Sequence, residues 1–521
     1  MAVASTPGSA TAWAEQALAD FACDFPVDRI PPSAALTVRR ILLAVAGTVI
    51  AGADEDGCAA VRQRLIARGG RPEATVLVSG ERLPAPGAAM INAMMARALD
   101  YCDAMAPGPH CGAAVVASSL AAAEKVGGCS GRDFLAALAV GAEVAARMNR
   151  SEAGYDGFDP TGVSVVFGAT AAAGRLLGLD GRRMRDALGL AFNRCGGSFQ
   201  SNVDGSLAVR TIQGWVAEAG IDCAELAALG VTGPAHFIDG IYGYCHLFRA
   251  DKTRRAGARS GDRGAADANT NGHTGSRAGA LGVDGDTGDT GAAIVAGLGT
   301  EFRLERAMFK KYPSCGVTQG VTDLMLGIVA QRPIAADELQ AAEVRLPPYA
   351  HRLVGQPFAP GANPRVDAQF SAAYCVANAL VRRESRLEHF RPEAIADAAV
   401  RTVLPRVAVV ADPALDARGH SAVDLVVTLT DGTRIVRGVD VAPGFPGRGL
   451  DAAEHRRRFD ACLDYADRRS FDASRGQAIV TAIDGLDSIS DIRDLVALLV
   501  DDSATLAVSA SSRAGSGHVV P

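Results

Sequence analysis

Between Met94 and Glu124 the chain reads MMARALDYCDAMAPGPHCGAAVVASSLAAAE, and the break between its two Ala-rich runs holds two aspartates and a histidine. Asp100 and Asp103 fall where the first helix should end. That end is unfavourable for a carboxylate, because the terminal carbonyls already carry partial negative charge. Pro107, Gly108 and Pro109 force a turn, His110 follows, and Gly112 opens a second apolar helix. A histidine and two carboxylates beside a Pro-Gly-Pro turn can do acid/base chemistry. In that arrangement a neighbouring carboxylate should raise the imidazole pKa by favouring the imidazolium. The competing reading is a helix-connecting loop whose polar groups face water.

Other residues have chemical potential of their own. Asp159 precedes Pro160-Thr161, where it serves either as an acid/base group or as the cap of the next helix. Arg210 and Lys310 can clamp a carboxylate or stabilise an enolate, or stand as solvated charges. Cys315 beside Ser314 has the look of a nucleophile, but no histidine is nearby in sequence to activate it. His351, at the end of a predicted strand, faces either a cleft or solvent. GLGTEF lacks the strand and helix that a dinucleotide fingerprint requires. The eleven cysteines show no CxxC or other metal-ligand spacing and read as reduced thiols of a cytoplasmic protein.

The elements that must position these groups follow from composition. A chain of 521 residues holds two or more domains. With 48% hydrophobic and only 5% aromatic residues, its core must be Ala, Val and Leu, which favours closely packed helices. A net charge of -6 gives no reason to expect nucleic acid. No uninterrupted apolar run is long enough for a bilayer, and the N-terminus lacks the basic-then-apolar order of a secretory signal.

Helices are expected over 11–25, 34–51, 57–67, 131–148, 161–177, 182–193 and 215–229, with Ser130 and Asp180 as caps. ATVLVSGERLPAP reads as a short strand or hairpin edge. From Arg249 to about Gly291 large apolar residues nearly vanish, and the segment should be disordered. Beyond it, FRLERAMFKKYP, AAEVRLPP, RVAVVADP, AVDLVVTLTDG and TRIVRGVDVAP alternate as strands, and Asp431-Gly432 marks a hairpin. Helices lie between them at 318–331 and 372–383, and return at 452–465 and 491–500. The fold class is mainly α. A large, discontinuous helical domain (1–248 and 446–508) accompanies a smaller α+β lid (296–445), with a linker at 249–295 and a loose tail at 509–521.

Several segments, in order, resemble the MmgE/PrpD family, which includes 2-methylcitrate dehydratase and cis-aconitate decarboxylase. They are RRILLAVAGTVIAGA, ARALDYCDAMAPGPHCGAAVVASSLAAAE, GRDFLAALAVGAEVAARM, GFDPTGVSVVFGATAAAGRLLGLD, DGSLAVRTIQGWVAEAG, KKYPSCGVTQGVTD and FSAAYCVANAL. The resemblance implies a helical domain, a lid, an active site between them and a homodimer. It also implies lyase chemistry on small polycarboxylates without a metal or organic cofactor. Asp100, Asp103 and His110 match acidic and histidine positions of the family, and Arg210, Lys310, Tyr312, Ser314 and Cys315 match its downstream motifs. On that resemblance, Asp100, His110 and Asp159 form the catalytic set, and Asp103, Arg210, Lys310, Tyr312 and Cys315 bind substrate.

The departures have a direction. Ala104 replaces a threonine, Cys111 a proline and Val209 a lysine, while Asp159, Ile212 and Gln319 replace histidines. Losing these donors and charges removes binding capacity for carboxylates. A tricarboxylate with about three negative charges near neutral pH should then bind poorly. The resemblance therefore points to a cofactor-free lyase or isomerase acting on a less anionic carboxylate or carbonyl compound of secondary metabolism. The alternative is a non-catalytic structural or regulatory partner.

Overall fold

The computed structural model describes residues 13–106, 108–149, 157–248 and 290–501. Its first half is a body of helices: Ala14–Asp24, Pro32–Gly52, Cys58–Arg68, Ala85–Arg97, Gly112–Lys125, Gly131–Met148, Val166–Leu176, Gly181–Phe192 and Ala208–Ala228. Small residues set how closely these pack. A Cβ on Gly52 would lie 2.1 Å from the Met95 carbonyl oxygen, so no larger residue fits where those two helices cross. Ser130 and Asp180 cap their helices by accepting the N–H of Asp133 and Arg183, as their types dictate.

The 32–52 helix bears on the expectation that no uninterrupted apolar run reaches bilayer length. By length and hydropathy it passes as a membrane span, but 72% of that window is buried inside the protein. Arg39 and Arg40 fall within every 18-residue window of it, so no uninterrupted apolar run of that length is present in this helix.

After residue 450 the chain returns to the helical body. The Ala452–Ala466 helix packs on 32–52, with Phe459 against Gly47, and Phe459, Leu463, Ile479, Leu495 and Leu499 join the same core. A helix at Ala473–Asp484 was not foreseen. Its Gly476 and β-branched residues are poor helix formers, but the glycine lets Leu463 approach. The last helix is shorter than expected, Arg493–Leu498.

The second core surrounds a four-stranded sheet in the order 407–411, Leu339–Leu346, Val423–Leu429, Arg434–Val439. The first pair is parallel and the others antiparallel. Val423, Leu425, Val427 and Leu429 alternate inward toward Gln319–Gln331 and Ala372–Arg382. Gly432, at φ 86°, makes the hairpin turn after Asp431.

Three further readings need correction. FRLERAMFKKYP supplies no strand to this sheet; its Ala307–Phe309 pairs instead with Asp103–Met105 of the helical body. His351 lies in the helix Pro348–Val354, opened by a proline at its first turn, and not at a strand end. Most of the expected linker, 249–289, lies outside the described residues, but its final part is a helix, Gly291–Val295, capped by Thr290.

Candidate active site

The 85–97 helix ends at Arg97, and Asp100 follows in the left-handed region at φ 49°, which Asp tolerates better than most residues. Its carboxylate is 1% exposed. Oδ1 takes the Lys310 ammonium at 2.5 Å and also pairs with Arg97, three residues earlier. The unfavourable helix-end position is thus offset by two buried cations. Burial opposes ionisation of Asp100, but Arg97, Lys310 and His110 together hold its pKa below the ordinary carboxylate range. Its second oxygen, Oδ2, has no hydrogen-bond partner among the described residues.

The short strand 103–105 brings the other groups into place. It pairs antiparallel with 307–309, Asp103 opposite Phe309, which delivers Lys310 to Asp100 across 210 residues of sequence. Asp103 is fully buried; its Oδ2 accepts the Gly112 N–H at 2.9 Å, at the start of the next helix. Burial raises its pKa to about 6, against the lowering effect of that hydrogen bond.

His110 is half-buried and held at both backbone groups. Its N–H donates to Thr161 Oγ1 at 3.1 Å, and its carbonyl accepts from Gln213 Nε2 at 2.8 Å. The imidazole Nδ1 lies 2.9 Å from the Asp103 carbonyl oxygen and 3.4 Å from Cys102 Sγ. A carbonyl can only accept, so Nδ1 carries the proton of the neutral ring and Nε2 keeps a lone pair. Asp100 pushes the His110 pKa upward, as expected, but does not decide it. Burial, with Arg97 and Lys310, drives it well below the ordinary value and outweighs Asp100. The ring is neutral near pH 7.

The remaining sequence candidates separate. Asp159 is buried, and its Oδ1 accepts the Thr161 N–H at 2.8 Å, the capping role; burial raises its pKa. Through Thr161 it braces the group that holds His110. Cys315 is close enough to Asp100 and Lys310 for their charges to act on it, and burial keeps it a neutral thiol with a pKa raised to about 11. Tyr312 turns away: its hydroxyl donates to Asp323 at 2.8 Å, within a group that includes Lys311 and Arg448. Arg210 lies among Asp56, Glu55 and Arg365, with no bond to Asp100, His110 or Lys310 among the described residues.

Sequence reasoning missed Arg97, Gln213, Thr161 and Gln369, whose Nε2 donates to the Leu99 carbonyl at 2.6 Å. Only Arg97 had a signal, a cation three residues before Asp100 at a helix end. A cavity of about 1060 Å³ opens elsewhere, lined by Arg468, Asp472, Arg475 and Asp501 and by none of these groups. The convergence of Asp100, Asp103, His110 and Lys310, not that cavity, marks the candidate site.

Two family models cover the chain, the MmgE/PrpD N-terminal domain over residues 16–256 and the MmgE/PrpD C-terminal domain over 312–484. The chain belongs to the MmgE/PrpD family. Among similar MmgE/PrpD proteins is the cis-aconitate decarboxylase-like protein oryM of Aspergillus oryzae, 25% identical over 82% of this chain and 84% of its own length. Human cis-aconitate decarboxylase is 32% identical, over 30% of this chain and 34% of the enzyme. The mouse enzyme is 31% identical over a similar share, 30% and 33%.

The substitutions relative to the MmgE/PrpD motifs have structural work in this chain. Gln319, where the motif has histidine, is fully buried and clamps the YPSC loop. It accepts the Tyr312 N–H at 2.9 Å and donates to the carbonyls of Tyr312, Ser314 and Cys315. Ile212 packs near Asp159 around Gly197, and Val209 joins the second core. No disulfide joins any of the cysteines among the described residues.

Proposed function

We propose that this chain is a cofactor-independent lyase or isomerase that removes a proton next to a carboxylate or carbonyl. The observation that carries the reading is His110: neutral, fixed through Nδ1, and with Nε2 unpartnered among the described residues beside the Asp100–Lys310 pair. Lys310 supplies positive charge where an enolate oxygen develops, while Asp100 fixes the ammonium. His110 Nε2 takes the α-proton, giving an enolate and an imidazolium. The enolate then expels a β-hydroxyl, protonated by the imidazolium, or is reprotonated at another carbon. A resting histidine that is neutral favours dehydration or isomerisation over decarboxylation, whose carbanion needs an acid to protonate it. Loss of CO2 would draw that proton from Asp103, whose pKa of about 6 leaves a minor protonated fraction near neutrality.

The substrate is a less anionic acid or ester, in keeping with Val209 and Ile212 where the family motif carries a lysine and a histidine. Asp159 adds a carboxyl group to the same region. The working unit is a homodimer, supported by an exposed apolar face on the 208–228 helix and beyond it: Trp215, Leu226, Leu229, Ile241 and Tyr242.

The test is exchange of substrate α-hydrogens in D2O across a panel of mono- and dicarboxylic acids and esters, with citrate, 2-methylcitrate and cis-aconitate included. At least one less anionic member should exchange, the three polycarboxylates poorly. His110→Gln should lower the rate by about 10²–10⁴-fold. Unchanged exchange in that variant would remove His110 as the base. Robust turnover of the polycarboxylates would refute the substrate assignment alone.

A further inference from the structure

Away from the Asp100 site, two arginines from opposite halves of the molecule lie close enough to the half-buried Glu55 for its charge to act on both. Arg365, on the Pro364–Gln369 helix, pairs with Glu55 at 3.0 Å and donates to the Tyr465 hydroxyl at 3.0 Å. That hydroxyl in turn donates to Glu55 at 2.6 Å. Arg210, on the 208–228 helix, is fixed by Nη1 to the Asp56 carbonyl at 2.6 Å. Arg210 and Arg365 are both buried, 1% and 6% exposed respectively.

Four of their nitrogens are buried without a hydrogen-bond partner among the described residues: Arg210 Nε and Nη2, and Arg365 Nη1 and Nε, the last of which lies in the ion pair with Glu55. Nε and Nη2 form one side of the guanidinium fork, the edge that takes both oxygens of a carboxylate or phosphate. The charges do not balance either. Glu55, half-buried, is the one acid paired within the cluster; Asp56 is exposed, and Asp54 is exposed and paired with Arg468. Burial, with the like charge of Arg365, pulls the Arg210 pKa down. An uncompensated buried charge and open donors are both costly. A water molecule would satisfy the donors and leave the charge, whereas an oxyanion answers both.

We propose that Arg210 and Arg365 form a binding site for a small oxyanion, a carboxylate or phosphate group held between the Nε–Nη2 edge of Arg210 and Nη1 of Arg365. Each half contributes one arm, so the bound anion fastens the second core to the helical body. The site is separate from the Asp100 centre but close to it. Gln213, three residues from Arg210, holds the His110 carbonyl, and Gln369, four residues from Arg365, holds the Leu99 carbonyl. On each helix that is about one turn, ~5 Å. The inference does not rest on the lyase reading, because it concerns binding that can be measured without turnover.

Thermal unfolding and calorimetric titration of the full chain with inorganic phosphate and with acetate, against chloride at equal ionic strength, test it. A saturable rise in Tm is expected with at least one oxyanion and not with chloride. General salt effects on folding do not saturate at a site. A response to phosphate alone assigns a phosphate group, and one to acetate a carboxylate. Arg210→Gln and Arg365→Gln should each weaken the apparent affinity at least about tenfold, while His110→Gln leaves it unchanged. Should Arg210→Gln fail to fold, Arg210→Lys, which keeps the charge and loses the fork, gives the same reading. A non-saturating response, or equal affinity in the wild type and the arginine variants, would overturn the proposal.

Discussion

On the proposed mechanism Asp100 carries charge balance and chemistry together, so its replacement should register in both. Asp100→Asn strands Arg97 and Lys310 as buried cations with no carboxylate between them. Breaking one side of a buried ion pair costs about 3–5 kcal/mol, and denaturant unfolding should show a loss of that size beside lost turnover. Adding Lys310→Met should recover part of the stability and none of the activity, since the two changes share one interaction. A double variant as unstable as the sum of the singles would dissolve the coupling. Asp103 behaves in the opposite sense. Its folded pKa, about 6, lies above the ordinary carboxylate value of 3.8, so folding favours its protonated form. The cost is complete above about pH 6 and vanishes below about pH 4, and with 1.36 kcal/mol per unit it reaches at most about 3 kcal/mol. Asp103→Asn should therefore gain stability over the wild type at pH 8 and nothing at pH 4. Equal differences at the two pH values would show that the charge is not what matters there. The acid and histidine types of this centre were legible from their spacing around the turn. The protonation of His110 was not, because it is set by burial and by Lys310, a residue 200 positions away in the sequence.

Among the elements, the helix Gly112–Lys125 shows how tightly the centre is built. A Cβ on Gly112 would lie 2.3 Å from Asp103 Oδ1 and 2.6 Å from Ile41 Cγ2. Gly112→Ala must therefore push the 103–105 strand away from the helix start, and with it the Asp103 carbonyl that fixes His110. We expect a stability loss of about 1–3 kcal/mol, in the range of overpacked sites, and a larger fractional loss of α-hydrogen exchange. An intact exchange rate would show that the strand has slack. Most helices could be read from their apolar periodicity and caps, as at Ser130 and Asp180. The sheet strands could be read from alternation and from Asp431-Gly432. Reading failed where a segment's partner, not its own pattern, decides its state. Ala307–Phe309 is a strand because 103–105 is there to receive it, and Ala473–Asp484 is a helix because Gly476 accommodates Leu463. Asp159 could be read both ways from its sequence, and its hydrogen bond to Thr161 shows the capping role.

For the molecule as a whole, the apolar face that includes Trp215, Leu226 and Leu229 bears on assembly. Their spacing puts all three on one side of the helix end, in water within a single chain. Light scattering on the purified protein should give twice the chain mass, and Leu229→Asp with Trp215→Glu should shift it toward the monomer. A monomeric wild type at micromolar concentration would end that reading. The strand pair 103–105 with 307–309 also sets an order in time. On the ribosome, Asp100 and His110 emerge 210 and 200 residues before Lys310, and early domains fold as they appear. Until the later strand is made and laid across the first, Arg97 is the cation that balances Asp100, and the ammonium intended for the enolate is absent. On the proposed mechanism a half-made chain therefore holds the base without its electrophilic partner. The reactive centre is armed by one of the late steps of its own synthesis.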